Sequence, residues 1–169
     1  MGSGRISVAG LFCVRPHNPD NNPGDDPGSR PRWLYRIKIH RRARKGKPAR
    51  RSFAETDYAT LLDGAHRTLN TDIVLIWDNL NTHGSAAMRA LIARRPWLHV
   101  IQLPSYAPDL NPTEGVWSHV KHSLGNLAVT GVDHLATLVR KRLTRIQHRP
   151  TLLTGILTQT GLTLDPPQP

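Results

Sequence analysis

Ile73 to Trp77 is the longest clean apolar run in the chain, and it is bounded by Asp72 and Asp78. A run this short, stopped at both ends by acids, suits a strand whose two faces are both covered. It is far below the roughly 20 apolar residues needed to cross a bilayer. The patterns on either side alternate between a two-residue and a 3.6-residue period. A chain so patterned folds as strands layered with helices rather than as a bundle or a sandwich.

The residue patterns along the chain support that reading. Ile6 to Val14 reads as a strand, followed over residues 15–32 by a stretch rich in Pro, Gly, Asn and Asp. That stretch lacks the apolar content to order itself and reads as a loop insertion. Trp33, Tyr35, Ile37 and Ile39 alternate along a half-buried strand. Ser52-Phe-Ala-Glu55 has the form of a capping box opening a helix. Tyr58, Leu61, Leu62, Ala65 and Leu69 then fall on one helical face. Asp72–Asp78 is the next strand. Ser85 can cap a short helix with Met88, Leu91 and Ile92 inward, and Leu98–Leu103 is a further strand. Pro108 to Pro112 is a turn into a helix facing inward through Val116, Trp117, Val120 and Leu124. A last helix, Asp133 to about Gln147, buries Leu135, Leu138, Val139, Leu143 and Ile146. The order predicts an α/β domain with a mixed sheet. It occupies residues 1–150, and 151–169 is a C-terminal tail.

Charge narrows the partner. Lys and Arg number 23 against 12 for Asp and Glu. The commonest partner of such a balance is nucleic acid. No helix combines a basic face with the aromatic anchors of a membrane-surface segment. One cysteine, Cys13, can form neither an intrachain disulfide nor a metal cluster, and a reducing cytosol is the simplest setting. The most basic stretch holds Arg41, Arg42, Arg44, Lys45, Lys47, Arg50 and Arg51. Gly46 and Pro48 keep it from being helical. It reads either as a phosphate-contacting loop or as a merely solvated one.

Two acids stand out by position. Asp78 ends the apolar strand, and Glu114 lies in the first turn of the helix after Asn111-Pro112. Ligands collect at strand ends in such sheets. Two carboxylates converging there could hold Mg²⁺, which prefers oxygen ligands and needs only one or two from protein. Each acid also has a structural explanation. Asp78-Asn79 can make an Asx turn. Asn111-Pro-Thr-Glu114 can be a capping box with Pro112 at the first helical position. His83 alone is a weak candidate.

Together the segments say more. Asp78-Asn-Leu-Asn-Thr-His83 followed by Leu103-Pro-Ser-Tyr-Ala-Pro-Asp-Leu-Asn-Pro-Thr-Glu114-Gly-Val-Trp117 closely resembles the DDE transposase superfamily. The likeness is to the mariner-related branch that includes many bacterial insertion-sequence enzymes. It runs from Ile6 to the last helix, apart from the Pro/Gly-rich insertion. Thirty-five residues separate Asp78 from Glu114, about the family's interval.

The resemblance implies an RNase H-like mixed sheet flanked by helices. It implies Asp78 and Glu114 as catalytic metal ligands for Mg²⁺ or Mn²⁺, and Asn79, His83 and Asn111 as second-tier site residues. It further implies transposon-end and target DNA as partners, a homo-oligomer when complete, and a bacterial cytoplasmic, nucleoid-associated setting. One part of the family pattern has no match. Three carboxylates are needed, and the first sits on a strand that the family places before the one at Arg5. Asp20, Asp25 and Asp26 have no spacing that would substitute. The expectation is therefore a fold lacking its first strand, with that segment supplied from an upstream reading frame. The isolated chain is expected to be inactive, or a non-catalytic remnant that at most binds DNA non-specifically.

Overall fold

The computed structural model describes residues 4–15, 30–40, 52–77, 84–103, 108–125 and 128–162. Four strands and five helices follow one another as β1 (Arg5–Cys13), β2 (Arg32–His40), α1 (Glu55–Leu69), β3 (Ile73–Trp77), α2 (Ala86–Ala93), β4 (Leu98–Gln102), α3 (Pro112–Leu124), α4 (Val132–Gln147) and α5 (Pro150–Gln159). A short 3₁₀ turn, Pro108–Leu110, precedes α3.

The strands form two separate pairs among the described residues. β1 and β2 are antiparallel from Arg5 opposite His40 to Cys13 opposite Arg32. β3 and β4 are parallel from Ile73 opposite Leu98 to Trp77 opposite Gln102. Among the described residues the mixed sheet expected from the sequence is thus two pairs, and neither β1 nor β3 has a second described strand neighbour.

Alternation along β1 and β2 decides the larger core. Ile6, Val8 and Phe12, with Trp33, Tyr35 and Ile37, point to one side. There they pack against Val116 and Val120 of α3, Val139, Leu143 and Ile146 of α4, and Leu153 and Ile156 of α5. Gly10 makes room for Trp33, because the indole ring occupies the space a Cβ would take. From the other side of β1, Ala9 and Leu11 meet Phe53, Tyr58 and Leu61. Leu11 also joins Leu62, Leu75 and Leu98 in a third cluster. Helix α1 therefore covers both strand pairs and holds them under one roof.

The β3–β4 pair is covered on that side alone. Val74 is 59% exposed, Ile76 57% and Ile101 54%. The expectation that Asp72–Asp78 is a strand buried on both faces fails for this reason: Leu75 packs inward, and nothing described lies over its neighbours.

Two further expectations are corrected. Helix α1 does not start from a Ser52–Glu55 box. The chain stays extended through Ala54, and the Asp57 carboxylate accepts the Ala54 N–H at 2.9 Å. Ala54 has no side-chain acceptor, so only half of a reciprocal cap is present. Residues 150–159 are not tail but α5, with Pro150 in its first turn and Leu153 fully buried. Leu152, Leu153, Ile156 and Leu157 carry a helical period there, which three threonines and Gly155 obscure by lowering helix propensity. By contrast Ser85 caps α2 as expected, accepting the Met88 N–H at 3.1 Å.

Among the described residues, two acids tie the layers together through ion pairs. Arg95 grips Asp63 with two parallel bonds of 2.7 and 2.8 Å, joining α1 to the segment before β4. That contact holds the Asp63 carboxyl below its usual range, against an opposing effect of burial. Asp57 takes Lys38 at 2.5 Å and Arg36 at 3.8 Å, joining α1 to β2. Burial pushes the Asp57 carboxyl up, but the Ala54 N–H, Lys38 and Arg36 together bring it below the ordinary value.

Candidate active site

The parallel register brings the carboxyl ends of β3 and β4 level, Trp77 beside Gln102. The Trp77 carbonyl accepts the Leu103 N–H at 2.8 Å, which extends that pairing one step further. Asp78 is the next residue after this fastened end. Asp78, Asn79 and His83 lie outside the described residues, as do Arg41, Arg42, Arg44, Lys45, Lys47, Arg50 and Arg51.

The second acid is fully described. Asn111 is the N-cap of α3, and its Oδ1 accepts from the Thr113 N–H at 3.1 Å and the Thr113 hydroxyl at 2.5 Å. Pro112 occupies the first turn, where a missing N–H costs nothing. Glu114 donates its backbone N–H to the Asn111 carbonyl at 3.0 Å. Its side chain is exposed, and its carboxylate has no partner among the described residues. A full capping box would have used that carboxylate on the Asn111 N–H. Here the cap is Asn111 alone, so Glu114 is left to other work.

The helix behind Glu114 is firmly seated. Val116 is fully buried and Val120 nearly so. Trp117 meets Trp33 edge to face, with ring centres 5.2 Å apart and planes at 79°. Gly115 lets α5 come close: a Cβ there would stand 2.7 Å from Ile156 Cγ2. Gly115 went unnoticed in the sequence, because no local pattern announces a glycine demanded by a distant helix. Residues 115 to 117 thus press inward while residue 114 faces out.

The other described acids nearest the core are committed elsewhere, Asp57 and Asp63 to their ion pairs. No group of three metal-capable side chains occurs among the described residues. The exposed oxygen donor Glu114 nonetheless suits a hard cation that retains most of its waters. No described helix is long and apolar enough to cross a membrane.

The sequence model of the DDE superfamily endonucleases matches residues 40–135, more than half of the chain. The chain belongs to that family. It is 31% identical over 74 residues to the Transposable element Tc1 transposase of Caenorhabditis elegans, a match covering 44% of this chain and 27% of that protein. The chain thus spans about a quarter of the curated relative's length. Among solved structures it is similar to a pre-cleavage Mos1 transpososome, with a TM-score of 0.51 at 11% identity over 95% of this chain and 56% of that one. It is also similar to the Mos1 transposase catalytic domain with Raltegravir and Mg, with a TM-score of 0.50 at 12% identity over 94% and 84%. At such identities the likeness concerns the fold, which is mixed α/β of the RNase H-like kind.

Proposed function

We propose that this chain is the DNA-handling and metal-binding part of a transposase that cuts transposon ends and joins them to target DNA. The observation that carries the reading is Glu114: an exposed carboxylate without a described partner, on a helix locked into the core, in a chain of the DDE endonuclease family. Asp78, leaving the carboxyl end of β3, and Glu114 are the residues that would hold Mg²⁺ or Mn²⁺. When bound, such ions supply activation of water or a DNA 3′-hydroxyl and stabilise the leaving oxygen of an in-line displacement at phosphorus. Asn111 positions Glu114 by capping its helix. Asn79 and His83 are second-tier members of the site. Arg41, Arg42, Arg44, Lys45, Lys47, Arg50 and Arg51 contact phosphates.

The third carboxylate comes, in this reading, from an apolar strand seated beside β1 and β3, encoded in an upstream frame. The edges of those strands that no described strand pairs, and the exposed Val74, Ile76 and Ile101, support it. Such edges and apolar faces invite pairing with another segment. The same features favour a second reading of the isolated chain, as a non-catalytic polypeptide that binds DNA non-specifically. The complete protein acts as a homo-oligomer of the bacterial insertion-sequence branch, in the cytoplasm at the nucleoid.

The test is Mg²⁺- or Mn²⁺-dependent nicking of supercoiled DNA. It compares the chain alone with the chain co-produced with the segment encoded upstream of Met1. Nicking is expected only from the pair. Asp78→Asn and Glu114→Gln should each abolish it while DNA binding remains. Normal nicking by Glu114→Gln removes the site assignment, and nicking by the chain alone removes the need for a complementing strand. Absence of nicking in both preparations leaves the non-catalytic reading.

A further inference from the structure

An open cleft of about 590 Å³ runs along the outer edge of β2, the edge that no described strand covers. Its floor is Leu34 to Ile37. One wall is α1, with Arg67 at its rim, and the other is α4, with Arg140. Arg36 reaches it from the floor. Arginines from three separate elements therefore line one groove.

Their charge is not cancelled locally. Arg67 and Arg140 are exposed and have no carboxylate within ion-pair distance among the described residues. Asp63, the acid that senses Arg67, is already held by both arms of Arg95. Arg36 shares Asp57 with the closer Lys38. Lys141 and Arg145 are exposed on α4 and extend the positive surface. β2 ends at His40, and the basic run 41–51 follows at once and rejoins the chain just before α1. The two elements that form the floor and one wall are thus the anchors of the most basic stretch in the molecule.

We propose that this cleft is a second phosphate-binding track, taking the sugar–phosphate backbone of DNA. The inference rests on the DNA reading above and adds where the backbone lies. Arginine is suited to the task, because its planar fork pairs two N–H groups with two phosphate oxygens. The cleft is lined by β2, α1 and α4, and Glu114 is not among its lining residues. It therefore contributes grip rather than chemistry.

The experiment measures DNA affinity of the full chain by fluorescence anisotropy over a salt series, with a labelled duplex. Each phosphate contact adds about 0.9 to the slope of log affinity against log salt. The double variant Arg67→Ala/Arg140→Ala should lower that slope by roughly 2 and weaken binding at low salt by at least about tenfold. Arg67→Lys/Arg140→Lys should restore most of the slope, since charge is kept. Arg94→Ala, at the C-cap of α2 and outside the cleft lining, should match the parent. Unchanged slope and affinity in the double alanine variant, with its melting curve intact, overturn the proposal. Loss of binding to a labelled poly-glutamate peptide with DNA binding unaltered also overturns it, and marks the cleft as a peptide groove. A parent chain that binds no DNA at all refutes the DNA reading itself, and this proposal with it.

Discussion

β1–β2 and β3–β4 are both two-stranded, yet they are packed very differently. The first pair is a filling between layers: Trp33 and the alternate residues of both strands meet three helices on one side, and Ala9 and Leu11 meet α1 on the other. The second pair has a roof of α1 and α2 and no floor among the described residues. A two-stranded sheet is marginal without support on its apolar faces. The end of the less supported pair is where Asp78 leaves the strand. The well-packed half holds Glu114 through α3. Of the two candidate carboxylates, Glu114 is carried by the well-packed half, and Asp78 follows in sequence the end of the less supported pair.

The largest expected effect breaks the comparison at its stronger side. Leu143 is fully buried between α4 and the β1–β2 pair. Leu143→Ala should cost about 2–5 kcal/mol in urea denaturation. Leu75→Ala, in the one-sided β3 cluster, should cost clearly less. Equal losses would mean that the two halves are one cooperative unit of even density. Hydrogen exchange should agree, with β3–β4 amides opening before those of β1–β2.

A smaller effect concerns the clamp that keeps the halves in register. The Asp63 carboxyl titrates below its unfolded value, so its contribution is present above about pH 4 and fades as the pH falls through the lower folded value. Asp63→Asn should remove about 0.5–1 kcal/mol near neutral pH, reduced by partial exposure. It should also flatten the acid limb of the stability curve. A variant as acid-sensitive as the parent would shift that role to Asp57, whose carboxyl is lowered as well.

The smallest effect is the most discriminating. Ile76→Thr alters an exposed position and should change the isolated chain's stability by no more than about 0.5 kcal/mol. If a complementing strand of the kind proposed covers the face, adding it should make the same change cost several times more. A cost that is the same in both settings would leave the face uncovered.

Much of the fold could be read from local patterns. The alternation of Trp33, Tyr35 and Ile37 identified β2 and its buried face, and Ser85 and Asn111 marked two helix starts. α5 was missed because Leu153 and Ile156 sit among threonines, where propensity argues against the period. The start of α1 was misplaced because Ser52 looks like a cap, while Phe53 and Ala54 are drawn into the core before the helix begins.

The sequence by itself determined most of the elements, the basic character and the Asp78–Glu114 phrase that resembles the DDE endonucleases. Each of these depends on residues near one another in the chain, where periodicity and capping chemistry act. Only the tertiary structure decided that Glu114 is free of its own cap, that Gly115 exists for Ile156, and that the strands divide into a covered and an open pair. It alone gathers Arg36, Arg67 and Arg140 around one cleft. Those outcomes depend on which distant surfaces meet, and packing between elements leaves no periodic trace in the chain.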